Sequence, residues 1–122
     1  MSQQELFTAG TRPEDAHAAL IMLHGRGAHA DNILDLHQEL NLQGWHFVAP
    51  QAAGGSWYPN RFMVPIEDNE PYLGEALARI DGIRKDLVKS GVPQERIGLL
   101  GFSQGACLAA EYVIRHPARY AG

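Results

Sequence analysis

Apolar residues along this chain fall into short continuous runs separated by glycine-rich polar stretches, and into two longer segments with helical spacing. Ala18–Leu23 is apolar throughout, which predicts a strand covered on both faces. The shorter run Ile97-Gly98-Leu99-Leu100 predicts a strand over 96–101, and Trp45-His46-Phe47-Val48-Ala49 predicts another, stopped by Pro50. A short first strand is expected over 4–8, followed by a turn over 11–15.

Leu73, Leu77, Ile80, Ile83 and Leu87 recur at intervals of three and four, predicting a helix over 71–90 with one buried face. Pro71 suits its first turn, Gly91 its C-terminal cap, and Pro93 prevents continuation. Asp31 or Asn32 is expected to cap a helix that carries Ile33, Leu34, Leu36 and Leu40 and ends near Gly44. A last helix is expected from Gln104 to about His116, ended by Pro117. Strands alternate with helices, so the fold class is α/β, a mostly parallel sheet with helices on both faces. Two loops stand out: a glycine-rich one over 24–30, and a long one over 51–69 holding Gly54, Gly55, Pro59 and Pro65. Loops of that length in a compact domain are often functional.

Composition narrows the function classes. The 122 residues suffice for one modest domain, and 45% hydrophobic with 20% charged residues is the balance of a soluble globular chain. A formal net charge of −4 leaves no basic footprint, so neither a nucleic acid nor an anionic membrane is an expected partner. The single cysteine, Cys107, has no internal disulfide partner and suits a reducing compartment. The first five residues lack the basic and apolar segments of a signal peptide, and no apolar run approaches the roughly 20 residues that span a bilayer. A cytoplasmic location is expected.

The chemistry is concentrated in Gly101-Phe102-Ser103-Gln104-Gly105, a G-x-S-x-G pentapeptide between the apolar run at 97–100 and the last helix. A strand that turns at once into a helix crowds the backbone at its apex, and glycines two positions before and after the serine remove the colliding side chains. The hydroxyl then projects at a helix N-terminus, where backbone N–H groups and the helix dipole favour developing negative charge. Ser103 is thus a candidate nucleophile, and the N–H of Gln104 a candidate oxyanion donor. A second donor is expected from Leu23-His24-Gly25-Arg26-Gly27, directly after an apolar strand, with Arg26 offering its backbone N–H between two glycines. The same loop satisfies G-x-G-x-x-G/A over 25–30, the dinucleotide fingerprint. That alternative needs a ribose-binding acid about 20 residues on. No Asp or Glu occurs between Glu39 and Glu67, and the next helix opens only after the glycines.

Together Leu23-His24-Gly25-Arg26-Gly27, Ala49-Pro50-Gln51-Ala52, Trp57-Tyr58 and Gly101-Phe102-Ser103-Gln104-Gly105-Ala106 resemble the phospholipase/carboxylesterase branch of the α/β-hydrolases, which includes the acyl-protein thioesterases. The resemblance covers nearly the whole chain. It implies a serine hydrolase acting on carboxylic esters or thioesters of small or acylated substrates, with no metal or organic cofactor. It also implies Ser103 as nucleophile, Arg26 and Gln104 as oxyanion donors, and a substrate pocket lined by His24 and by the loop around Trp57 and Tyr58.

The family's catalytic Asp and His follow the serine on later strand ends, and none is expected within 1–122. After Ser103 the only histidine is His116 and the only acid Glu111. At 1.5 Å rise per residue they lie roughly 20 Å and 12 Å along the helix, too far for a base that must come within about 3 Å. His24 and His29 lie nearer, in the loop. The histidines lack zinc-ligand spacing, Cys107 reads as a core thiol, and 67–70 as a solvated helix entry. The chain is therefore expected to be the N-terminal part, 1–122, of a single α/β-hydrolase domain, close to inactive alone. The competing expectation is a catalytically inactive hydrolase-fold fragment that serves as a binding or assembly module. Either way the strand edge at 97–100 is expected to meet a C-terminal half or a second copy.

Overall fold

The computed structural model describes residues 5–59 and 69–121. Four strands, β1 (Leu6–Gly10), β2 (Ala18–Leu23), β3 (Trp45–Pro50) and β4 (Ile97–Gly101), form one sheet in the order β1-β3-β2-β4. β2 runs parallel to both β3 and β4, while β1 is antiparallel to β3 at the edge. Among the described residues four α-helices accompany them: α1 (Ala30–Leu34), α2 (His37–Leu40), α3 (Tyr72–Ser90) and α4 (Gln104–Arg115). The α/β class and the mostly parallel sheet are as the apolar runs predict.

Every residue of β2 is buried because alternate side chains feed two different cores. Ala19, Ile21 and Leu23 join the buried faces of α3 and α4, through Leu77, Ile80, Leu108 and Tyr112. Leu20 and Met22 join Phe47, Ala49, Ile33 and Leu34 on the opposite face. The five leucines and isoleucines read as the buried stripe of α3 are all buried. Gly91 closes that helix at φ 115°, with Val92 N–H bonded to Leu87 O at 3.0 Å, a Schellman-type end.

The departures have local causes. β1 starts at Leu6, and its far end is pinned at Gly10, where a Cβ would stand 2.5 Å from Trp45 O. The first helix begins at Ala30, not after Asp31 or Asn32, because the ring of His29 accepts from Asp31 N–H. It also breaks into two short pieces ending at left-handed Asn41, before Gly44. Pro71 precedes α3 as its N-cap rather than entering the first turn. Pro50 is the last residue of β3 instead of lying beyond it.

Of the loop expected over 51–69, residues 51–59 are described and contain a short 3-10 turn, Ala53–Gly55; 60–68, with Pro65, Glu67 and Asp68, lie outside the described residues. β4 ends the sheet, and its Ile97 carbonyl accepts a hydrogen bond from Ala121 N–H at 2.9 Å. The strand edge at 97–100 thus carries one backbone contact from within the described residues. No described helix is long and apolar enough to cross a membrane.

Candidate active site

The pentapeptide makes a sharp corner between β4 and α4. Ser103 sits at φ 58°, ψ −118°, a conformation that costs an L-residue about 1–3 kcal/mol, and its side chain is exposed. Both glycines are sterically required. A Cβ on Gly101 would overlap the Gly105 carbonyl and stand 2.5 Å from Ala106 N. A Cβ on Gly105 would overlap Leu23 O and stand 2.6 Å from His24 O. The absent side chains let α4 begin directly against the end of β2. Gln104 is the first residue of α4, so its N–H belongs to the turn that has no intrahelical acceptor.

The glycine-rich loop closes on that corner. A Cβ on Gly25 would be 3.1 Å from Phe102 O and 3.3 Å from Ser103 Cβ. The loop is held by Ala28 N–H on Gly25 O at 3.1 Å and by Gly27 N–H on Gly55 O at 2.7 Å. Gly27 is left-handed at φ 76°.

The remaining expected site residues sit behind this surface and tie it together. His24 is 1% exposed; its Nδ1 bonds Gly25 O at 2.7 Å and its Nε2 accepts from Ala52 N–H at 3.0 Å. Burial, chiefly, lowers its pKa and holds the ring neutral, with the proton on Nδ1. Trp57 is buried against it, ring centroids 5.0 Å apart, and donates from its indole N–H to His24 O at 2.9 Å. Tyr58 is also buried, and burial raises its pKa. The Gln104 side chain accepts from Trp57 N–H at 2.8 Å and donates to Tyr58 O at 2.9 Å. The exposed Arg26 guanidinium donates to Tyr58 O at 3.3 Å and to Pro59 O at 2.9 Å.

The structure therefore brings Ser103, Gln104, Arg26, His24, Trp57 and Tyr58 into one cluster at the C-terminal ends of β2 and β4. The two residues after Ser103 with acid or base chemistry are elsewhere. Glu111 pairs with Arg115 at 2.7 Å, and His116 caps the far end of α4, stacked on Tyr112. Among the described residues no histidine or carboxylate hydrogen-bonds Ser103, and none form a group of three that would hold a metal ion. His29, the other loop histidine, spends its Nδ1 on Asp31 N–H.

Sequence reasoning missed three features. Gln51 accepts from Ala30 N–H at 2.6 Å and donates to Ala28 O and Ala52 O, fixing the outer half of the loop. A cavity of about 480 Å³ beside it is walled by Gly54, Gly55, Trp57, Tyr72 and Arg79. Between α3 and α4, on the same face of the sheet, Tyr112 O–H donates to Asp81 at 2.8 Å. Burial alone would raise that carboxyl, but hydrogen bonds from Tyr112, Lys85 and Arg84 hold it at about 2. The Gln51 signal lay in the Ala49-Pro50-Gln51-Ala52 segment; the other two had none.

Known proteins resemble this arrangement. The family described as phospholipase/carboxylesterase matches residues 8–122. Acyl-protein thioesterase 1 from two strains of Cryptococcus neoformans var. neoformans serotype D is 28% identical over 90% of this chain and 54% of the relative. The chain thus spans about half the length of the curated relatives it matches. The crystal structure of a phospholipase/carboxylesterase from Dyadobacter fermentans superposes with a TM-score of 0.95 at 41% identity, over 98% of this chain and 57% of that one. Zea mays acyl-protein thioesterase 2, at 23% identity and a TM-score of 0.63 over 88% of this chain and 49% of that one, shares the fold.

Proposed function

This chain belongs to the phospholipase/carboxylesterase family, and from that premise we propose that it is the serine-bearing part of a hydrolase that cleaves carboxylic esters or thioesters through an acyl-serine intermediate. The observation that carries this reading is the exposed Ser103 held at φ 58° on the N-terminus of α4, with Gly25 packed against it. An exposed serine held in a strained conformation between two obligatory glycines carries a steric cost of the kind stored at functional sites.

In the proposed reaction the Ser103 oxygen attacks the substrate carbonyl as its proton passes to a base. The backbone N–H groups of Gln104 and Arg26 stabilise the tetrahedral oxyanion. The alcohol or thiol leaves with a proton, and water then releases the acid and restores the serine. Acyl transfer of this kind requires neither metal nor organic cofactor. His24, Trp57 and Tyr58, expected to line the pocket, act in this reading mainly behind it, with Trp57 also walling the adjacent cavity. Base and acid are to be supplied by sequence outside residues 1–122, and without them the rate falls by several powers of ten. The setting proposed is cytoplasmic, to which the single free thiol Cys107 is suited.

Hydrolysis of p-nitrophenyl acetate by the wild type and by Ser103→Ala tests the proposal. Turnover that disappears in the variant supports it; turnover that persists removes Ser103 from the mechanism.

A second reading, a non-catalytic binding or assembly module on the same fold, is favoured by the terminal position of β4. With Phe102 N–H bonded to Leu23 O, alternation turns the backbone groups of Leu99 and Gly101 outward, able to pair with another polypeptide or a second copy. Light scattering after size exclusion distinguishes these: a strict monomer counts against self-association.

A further inference from the structure

We propose that the side chains of Gln104 and Arg26 are positioning groups that lock the oxyanion loop to the nucleophile corner by converging on one acceptor, the carbonyl of Tyr58. This rests on the serine-hydrolase reading above, which uses only the backbone N–H groups of the same two residues.

The geometry closes a ring. From the corner, Gln104 clamps two successive residues of the neighbouring loop, accepting from Trp57 N–H and donating to Tyr58 O. From that loop, Trp57 returns through its indole N–H to His24 O, at the root of the 24–27 loop. From the tip of the 24–27 loop, Arg26 comes back to Tyr58 O. Gly25 then meets Phe102 and Ser103 to complete the circuit. Both lone pairs of the Tyr58 carbonyl are engaged by donors from the two segments that must act together.

The need for such a tie follows from the sequence of the loop itself. Glycines at 25 and 27 permit close approach to the reacting carbon, but they also give the loop the largest conformational entropy of any residue type. Oxyanion donors lose their effect when displaced by about 1 Å. A loop rich in glycine and tipped by an exposed Arg26 therefore requires external bonds to keep its amide aimed. Gln104 is 8% exposed, so its two hydrogen bonds are shielded from competing water. Its buried amide uses its oxygen on Trp57 N–H and one of its N–H donors on Tyr58 C=O.

The test is amide hydrogen exchange on the full chain, comparing wild type with Gln104→Met and Arg26→Met. Neither substitution touches a backbone amide, and methionine keeps much of the side-chain volume. The expected result is exchange over 25–28 faster by about tenfold in each variant, the scale of one lost shielded hydrogen bond. The double variant is expected to be no faster than the quicker single, since the two side chains are links in series through the 57–59 segment and losing either one opens the ring. Amides of β2 and α3 should keep wild-type rates. Unchanged exchange over 25–28 in both single variants overturns the proposal, as does acceleration spread evenly over the whole chain.

Serine-dependent ester turnover gives the catalytic side. A positioning role lowers kcat by about tenfold with KM unchanged, and Arg26→Lys, which keeps a donor, recovers most of it. A rise in KM alone overturns the assignment. If Ser103→Ala leaves turnover intact, the hydrolase reading fails while exchange still judges the tie; if even the wild type lacks turnover, exchange decides alone.

Discussion

Gly25 and Ser103 touch across the end of the sheet: a Cβ placed on Gly25 would lie 3.3 Å from the serine Cβ and 3.1 Å from the carbonyl oxygen of Phe102. Those separations are tighter than ordinary contact yet short of overlap, so one methyl group probes how closely the loop must stand. Gly25→Ala is expected to push the loop outward by a few tenths of an ångström, at a stability cost of about 1 kcal/mol. Serine-dependent esterase activity is expected to fall by about tenfold or more, as donors move off the oxyanion position. Urea unfolding alongside initial rates checks this, and wild-type activity in the variant would contradict the proximity argument.

Much of this was legible in the sequence because burial has a period. The unbroken apolar run of β2 and the three-and-four spacing of α3 each encode a face, and those faces are where the structure puts them. Gly101 and Gly105 were legible for a steric reason, since a strand-to-helix corner leaves no room for a Cβ at either. What escaped was non-local or chemically unusual. The clamp from Gln104 to Trp57 and Tyr58 joins residues 47 and 46 positions apart, and no local pattern announces it. His29 caps α1 although Ser, Thr, Asp and Asn are the usual choices, so the neighbouring Asp31 and Asn32 drew the expectation away. Pairing of β1 antiparallel to β3 was equally unreadable, because a single five-residue strand carries no mark of its partner.

Gly105 and Gly82 are both helical glycines, and the same substitution is expected to act with opposite sign at the two. At 105 an added methyl overlaps the backbone of Leu23, which cannot move without breaking the β2–β4 ladder. Gly105→Ala should therefore destabilise the chain by about 3 kcal/mol or more. At 82, in the middle of α3, nothing lies within 4 Å. Gly82→Ala should stabilise by up to about 1 kcal/mol through helix propensity alone. Denaturant midpoints of the two variants decide this, and similar effects at both sites would refute the corner geometry.

Ser103 carries a conformation that glycine tolerates far better, so function and stability should pull apart at this residue. Ser103→Gly is expected to raise stability by about 1 kcal/mol through relief of the φ 58° backbone, while removing serine-dependent turnover. Ser103→Ala, which keeps a Cβ in the same conformation, should lose turnover without the gain. Thermal unfolding of the two variants side by side measures the difference. Equal midpoints would show that the serine stores no strain.

His24 makes the fold sensitive to mild acid, and the sign follows from its partners. The buried ring accepts from Ala52 N–H through Nε2, which a protonated imidazole is unable to do. Burial foremost pulls its folded pKa below the ordinary 6.5, so at mildly acidic pH the unfolded chain binds the proton more readily than the folded one. Its stabilising effect is then complete above the unfolded value of 6.5 and declines as pH falls through that value toward the lower, folded pKa. His24→Gln keeps an acceptor on a non-titrating side chain, and at neutral pH it should cost about 1–2 kcal/mol through the lost Gly25 bond and Trp57 contact. Between neutrality and about pH 5 the gap between wild type and variant should narrow, because only the wild type loses this contribution. Urea midpoints at a series of pH values give that gap directly. A gap independent of pH would mean that the ring is not held neutral by its burial, and the brace behind the oxyanion loop would have to be assigned to Trp57 and Gln104 alone.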